Sequence, residues 1–464
     1  MVHDRPPGPV GGSLWEHERM PGDRRLPAVV AAAVIIAAPA LMLRLLCVGR
    51  SCERRTAASA PAPFCSLPPD VRAGIAAGYR DGRSPDLLAV TSAGVRVAGP
   101  GEAGSDAPWP SVGSPGQGRV PLVFWGNRIR PGAEVAAGTT LDSVAPTLAS
   151  AIGVDRPHPE VRSGRVVPDV VAREAPSRLA LIVVWRGIGG DALEARPEAW
   201  PVLKAMLRQG SGTLDAEIGS LPADPAAVLT TVGTGGLPRQ HGITGAVVRN
   251  DAGEAVEAWG PDAPFSVIAA LGDDLDQRTG QAAEVGLVGT AASERGLIGG
   301  TWYVRNDRDD VRVRETPSAR DQAAAAERLL GSAYGRDRTP DLLAVTMEDD
   351  LGEMDRALGE LMAAARRAAG DRLTVAVTAT GTSAPEGIPA ADVVDRLQER
   401  AGIPADAIVA TVPGGFYLDP IALADAGVAE DRVTAALKDL SGSEAEPLMA
   451  DAFSGFAVSL EEYC

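Results

Sequence analysis

Five short runs of apolar and β-branched residues constrain the fold of this chain more than any other feature: Leu122–Trp125, Leu179–Trp185, Val285–Val288, Leu342–Thr346 and Leu373–Thr378. Each is bounded by Gly, Pro or charged residues. None shows the apolar/polar alternation of a sheet with one wet face, so each reads as a strand buried on both faces of a parallel sheet. Helical spacing fills the intervals, in Trp200–Arg208 before Gly210, in Phe265–Leu271, and in Leu358–Ala368 before Gly370. The alternation predicts an α/β class, a doubly wound, mostly parallel sheet with helices on both faces. With 464 residues and 45% hydrophobic content, the chain can bury one large core or two smaller ones. One nonapeptide recurs: Arg83-Ser84-Pro85-Asp86-Leu87-Leu88-Ala89-Val90-Thr91 and Arg338-Thr339-Pro340-Asp341-Leu342-Leu343-Ala344-Val345-Thr346. Both copies read as Pro-initiated buried strands, and a match this short does not establish duplicated domains.

Residues 1–25 form a polar tail rich in Pro and Gly, and Leu26–Leu43 then holds 18 uncharged residues. At helical rise this spans about 27 Å, close to a hydrocarbon core of roughly 30 Å. Arg44 can snorkel, which extends the expected transmembrane helix over 26–47, with a linker at 48–64. A cleaved signal peptide competes, with Ala58-Ser59-Ala60 as the small-residue site, but its distance from the apolar run favours an uncleaved anchor. Arginines flank the run on both sides, so charge does not set its orientation. Membrane is therefore an expected partner.

Four cysteines are present, of which Cys47 and Cys52 lie at the membrane edge while Cys65 and Cys464 bracket the rest of the chain. A Cys65–Cys464 disulfide would close nearly the whole domain into one loop and place it in an oxidising, extracytoplasmic compartment. The alternative is a buried Cys65 and a frayed Cys464. A net charge of −17 excludes nucleic acid as an expected partner, since phosphate backbones demand clustered Lys and Arg.

The segment Arg178–Leu193, then Ile218-Gly219-Ser220 through Gly233-Thr234-Gly235-Gly236-Leu237-Pro238-Arg239-Gln240-His241-Gly242-Ile243-Thr244-Gly245, resembles the alkaline phosphatase superfamily in its type I phosphodiesterase/nucleotide pyrophosphatase branch. Val120–Gly126, Arg130-Pro131-Gly132 and Thr140–Leu148 look like the segment that usually closes that fold at its C-terminus. Here they precede the core, which suggests a circular permutation, compatible with termini that lie close together. The resemblance divides the chain into a permuted C-terminal-type segment (65–165), a core region (166–385) and a C-terminal α+β region (386–464) ending in Cys464.

The resemblance implies two divalent metals held by carboxylates and imidazoles, with a hydroxyl nucleophile on one of them. The first metal-binding Asp falls on Arg186. The nucleophile falls on Pro225, with Asp224 before it. The Asp and His after the middle strand are replaced by Met347-Glu348-Asp349-Asp350, and an Asp-His-Gly by Ala379-Thr380-Gly381. The last expected His falls near Ser105–Trp109. Of four histidines, His3 and His17 precede the apolar run, leaving His158 and His241 where the family uses three imidazoles. Both read as hydrogen-bonded structural residues, and Gly233, Thr234, Gly235, Pro238, His241 and Gly242 as scaffold.

Glu348, Asp349, Asp350 and Glu353 offer oxygen ligands for Mg²⁺ or Ca²⁺, but a solvated helix N-terminus explains them better. Arg305–Asp310 reads as an exposed ion-paired turn. Arg186 is expected either to hold an anion or to pair with Asp224. Two functional classes follow. The first is a membrane-anchored, exported pseudoenzyme without confident catalytic residues, metal or cofactor, which binds an unknown ligand or envelope protein. The second is a metal-dependent phosphoester hydrolase with a rebuilt site.

Overall fold

The computed structural model describes residues 64–98, 107–113, 118–314, 318–383, 387–442 and 446–464. The expected transmembrane helix, Cys47, Cys52, His3 and His17 lie outside the described residues, as do Ser105 and Asp106. The described residues belong to one compact unit.

In chain order the strands are β1 (Leu87–Thr91), β2 (Val97–Ala98), β3 (Arg119–Gly126), β4 (Leu179–Trp185), β5 (Ser211–Glu217), β6 (Val247–Arg249), β7 (Ala255–Glu257), β8 (Val285–Gly289), β9 (Asp310–Val313), β10 (Asp341–Met347), β11 (Leu373–Ala379), β12 (Ile388–Pro389), β13 (Ile408–Val412), β14 (Gly415–Leu418) and β15 (Met449–Ser454). Seven form the principal sheet, ordered β5-β3-β11-β4-β10-β8-β9. From β11 to β9 all pairings are parallel, whereas β3 runs antiparallel to both β11 and β5. The sheet is therefore mixed.

Every residue of β4, β10 and β11 is buried, which requires cover on both faces. Each buried Val or Leu side chain contributes roughly 1.5–3 kcal/mol. One group of helices comprises Leu351–Ala369, which packs against Ala319–Leu330 and Pro201–Gln209; another comprises Val144–Ile152 and Pro225–Thr234. Leu351, Met354, Leu358, Leu361 and Ala365 recur at three- and four-residue intervals and form the buried stripe of the longest helix.

Two expectations about elements need correction, and one strand escaped the sequence reading. Leu122–Trp125 lies in an antiparallel rather than a parallel strand; a run buried on both faces carries no record of strand direction. Phe265–Ala270 is not helical: the helix starts at Leu271, where the Asp273 carboxylate accepts the Ala270 amide, and Phe265 is exposed. β5 went unread because it is an edge strand with mostly half-exposed residues.

A second sheet, β13-β14-β1-β15, is wholly antiparallel. Leu87 and Ala89 face a core shared with the helices Ala390–Ala401 and Glu430–Lys438, while Leu88 and Val90 face another with Phe64, Ile75 and Phe453. Two-residue alternation between two cores explains why this run is apolar throughout. The first copy of the nonapeptide is thus the antiparallel β1 and the second is the parallel β10. What they share is local: Asp86 accepts the Leu418 amide at 2.8 Å and Asp341 the Glu284 amide at 2.8 Å, each pinning a neighbouring strand.

Cys65 and Cys464 form a disulfide with their Cα atoms 5.2 Å apart. The buried Asp451 anchors the same place, its carboxylate accepting the Phe64 amide at 3.0 Å and the Ser66 hydroxyl at 2.9 Å.

Candidate functional site

Strand register builds the site. Trp185 lies opposite both Met347 and Ala379, so β4, β10 and β11 end in line and the next residues, Arg186, Glu348 and Thr380, emerge side by side. The Arg186 amide continues the ladder to the Met347 carbonyl at 2.8 Å, and the Thr380 amide to that of Trp185 at 3.0 Å. The carboxyl ends of parallel strands are where open α/β sheets present their ligand sites.

The Arg186 side chain turns toward the end of β8. Its Nη1 donates to Glu294 Oε1 at 2.8 Å and to Thr290 Oγ1 at 2.6 Å, and Glu348 lies 3.4 Å from its Nε. Glu294, on the 3₁₀ turn Ala292–Leu297, also accepts the Thr346 hydroxyl at 2.6 Å and the Thr290 amide at 2.7 Å through Oε2. The buried Glu294 and the half-exposed Glu348 thus flank the guanidinium, and Nη1 is committed to Glu294 and Thr290. Of the two alternatives for Arg186, the ion pairs it makes are with Glu294 and Glu348 and not with Asp224. Asp224 Oδ1 caps the helix Pro225–Thr234 by accepting the Ala226 amide at 2.9 Å. Pro225 occupies the first helical turn, where a missing N–H costs nothing.

Asp224 lines a small cavity of about 20 Å³ with Tyr79, Leu88, Leu221 and Tyr417, and Arg186 is not part of that lining. Ala379 is fully buried, and Thr380 Oγ1 accepts the Gly187 amide at 3.1 Å. The acidic run is likewise committed: Asp350 caps the helix beginning at Leu351 and pairs with Arg196 at 2.8 Å, while Asp349 accepts the Ala319 amide at 3.2 Å. Glu353 pairs with Arg356.

The scaffold motif has a packing explanation. A Cβ on Gly233 would stand 2.1 Å from the Gly296 carbonyl, so glycine lets this helix meet the turn that carries Glu294. Gly235 ends the helix at φ 74°. Arg156 and Arg162 donate to the Thr234 carbonyl at 2.8 and 3.1 Å and share the buried Asp274, countering the negative helix end. His241 Nδ1 accepts the Ile243 amide at 3.1 Å, so Nε2 carries the proton and donates to Thr231 Oγ1 at 3.1 Å. Burial, followed by the charge of Arg80, depresses His241 to about 3. His158 is exposed, and its Nδ1 lies at hydrogen-bond distance, 3.2 Å, from Glu160 Oε1.

The Arg305–Asp310 turn also departs from expectation. The side chains of Asp307 and Asp309 are only 5% and 4% exposed, and both pair with Arg295 rather than with neighbouring arginines, at 3.0 and 3.2 Å. Burial, then a hydrogen bond with Asp307, pushes Asp309 up to about 9. Among the described residues, Asp276, Asp307 and Asp309 make up the one group of three or more metal-ligating side chains close enough to share an ion.

Sequence reasoning missed Glu294, Thr290 and Thr346, the groups that decide what Arg186 does. The available signal was weak, a carboxylate five residues beyond the end of a buried strand. It also missed Ser220, whose buried hydroxyl has no hydrogen-bond partner among the described residues and precedes the cis Leu221–Pro222 bond.

No protein-family profile matches the chain, and no curated protein matches its sequence. Among solved structures it is similar to wild-type alkaline phosphatase PafA, with TM-score 0.43 and 14% identity over 57% of this chain and 77% of that one. A multiply substituted form of that phosphatase gives TM-score 0.43 and 15% identity over 57% of this chain and 76% of that one. An inactive form of murine ectonucleotide pyrophosphatase/phosphodiesterase 5 in complex with AMP gives TM-score 0.32 and 14% identity over 43% of this chain and 56% of that one.

Proposed function

We propose that this chain is a membrane-anchored, exported pseudoenzyme, a binding or envelope-organising protein that keeps a phosphatase-like fold without its chemistry. The observation that carries this reading is the buried Arg186–Glu294 pair at 2.8 Å, standing where the resembling family places its first metal-binding Asp. A guanidinium fixed there repels divalent cations, and its Nη1 is already engaged with Glu294 and Thr290. Pro225 has no hydroxyl, Asp224 is spent on a helix cap, and Ala379 offers no ligand atom. The disulfide supports an oxidising compartment. The apolar segment 26–47 supports anchoring, and the early position of β3 supports the permuted order.

The test is turnover. The full chain, assayed on phosphomonoesters and phosphodiesters with added Zn²⁺, Mg²⁺, Mn²⁺ or Ca²⁺, is expected to give no metal-dependent hydrolysis above a denatured control. The second reading, a hydrolase with a rebuilt site, draws on the buried Ser220 hydroxyl, which has no hydrogen-bond partner among the described residues. Metal-dependent turnover abolished by Ser220→Ala would establish it and end the first.

A further inference from the structure

Aromatic residues make up only 4% of this chain, yet two of them stand in solvent at one place, Phe265 with 64% of its surface exposed and Trp302 with 45%. Both line an open hollow of about 520 Å³, together with Arg83, Asn250, Asp251 and Asp262. Phe265, Ala263 and Pro264 also wall a second hollow of about 530 Å³, which Trp259, Arg305 and Asn306 help to enclose. The two hollows therefore adjoin across Phe265. Arg186 lines neither of them.

The walls are anchored. The Gly300 and Trp302 amides donate to the buried Asp273 at 3.0 and 3.4 Å, the Tyr303 hydroxyl donates to Asp274 at 3.4 Å, and the Trp302 and Tyr303 rings meet edge to face. On the other segment, the Val267 amide donates to the His241 carbonyl at 2.8 Å and the Ser266 hydroxyl to that of Ile268 at 2.7 Å. Trp259 holds φ 63°, which costs a residue other than glycine about 1–3 kcal/mol; its ring packs against Gly300 and its Nε1 lies 3.4 Å from Thr230 Oγ1. Strain of this kind gathers at ligand clamps, and walls arranged in advance lower the ordering cost of binding.

The lining selects the ligand. Arg83, Arg295 and Arg305 are matched by Asp251, Asp262 and Asp307, so charge does not draw in a phosphate, a nucleotide or an acidic chain. Amide, carboxylate and guanidinium groups beside aromatic rings suit a molecule with hydroxyls at its edges and C–H groups on its faces, because the negative π face attracts weakly positive C–H groups. Arg83 adds an Nη1 that has no hydrogen-bond partner among the described residues. From these observations we infer that the hollows on either side of Phe265 bind a neutral oligosaccharide, with pyranose rings against Phe265 and Trp302. Concave walls fit a sugar chain better than the flat face of a protein, and adjoining hollows fit a chain better than a single sugar. The site stands whether or not the chain hydrolyses phosphoesters.

Calorimetric titration of the full chain, held in a detergent without a sugar headgroup, with cellotetraose, chitotetraose, maltotetraose and mannotetraose tests the assignment. At least one of these should bind at one site per chain with Kd about 1 mM or tighter, and its disaccharide at least about tenfold more weakly because it cannot fill both hollows. Trp302→Ala and, separately, Phe265→Ala should each weaken binding by at least about tenfold with circular dichroism unchanged, since both side chains are exposed. Phe456→Ala removes another exposed aromatic ring, outside both hollows, and should bind as the wild type does. No heat from any of these tetrasaccharides up to about 10 mM would overturn the inference. So would sugar binding that survives both substitutions, or AMP bound through Trp302 in place of sugar.

Discussion

Arg186 and Glu294 meet at 2.8 Å with side chains 11% and 2% exposed, one at the end of the central β4 and the other on a turn wedged against the helix Pro225–Thr234. Breaking a buried pair strands the remaining charge, at a cost of about 3–5 kcal/mol. Arg186→Met and Glu294→Gln should each lower unfolding stability by that amount in urea titrations, and the double variant by less than the sum. Additive losses would show that the pair is uncoupled.

Gly233 and Gly235 stand in one motif for different physical reasons. Gly235→Ala meets backbone strain at φ 74° and contacts of 3.0–3.2 Å with Arg156, Pro146 and the Asp142 carbonyl, none as close as those at Gly233, with an expected loss of about 1–2 kcal/mol. Gly233→Ala drives a methyl to 2.1 Å from the Gly296 carbonyl and separates two packed elements, so more than about 3 kcal/mol is expected. Thermal denaturation of the two variants gives the order, and the reverse order would refute the packing account.

His241 should make stability fall on acidification. Its folded value of about 3 lies below the ordinary 6.5. Above pH 6.5 it is neutral in both states and its contribution is complete. As pH falls toward 3, only the unfolded chain takes up the proton, and up to about 1.4 kcal/mol is lost per pH unit. Asp273, raised to about 7 chiefly by burial, acts with the opposite sign in the same window. The test is therefore the difference between wild type and His241→Gln: the wild type should lose more stability between pH 7 and pH 5, and parallel curves would contradict the assignment.

Reduction of Cys65–Cys464, which closes a sequence separation of 399 residues, should lower stability by about 6 kcal/mol on the chain-entropy argument. Denaturant midpoints with and without reductant, and for Cys464→Ser, measure it; unchanged midpoints would mean that Asp451 and the Phe64–Phe453 contact hold the ends without the bond.

The sequence made the parallel strands legible because full burial on both faces leaves an unbroken apolar run, as in β4, β10 and β11. It left the direction of β3 open, since such a run looks the same either way, and it hid β5, whose edge position tolerates polar residues. At the site, Arg186, Pro225 and Ala379 drew notice only through the family resemblance, which implies ligands and a nucleophile at those positions. The partner of Arg186 could not be read from the sequence. Glu294 is brought in by parallel register and by the close approach at Gly233, which are contacts between segments far apart in the chain. Asp276 was hidden for a related reason: its place among Asp307 and Asp309 depends on how a helix packs against a distant turn.

The Cys65–Cys464 bond also determines how the domain responds to force. Tension applied between a tether preceding Cys65 and the end at Cys464 runs through the two sulfur atoms and leaves both sheets unstretched. The bond likewise makes the intervening chain a covalent ring, so a single backbone cut anywhere within it still leaves both fragments attached.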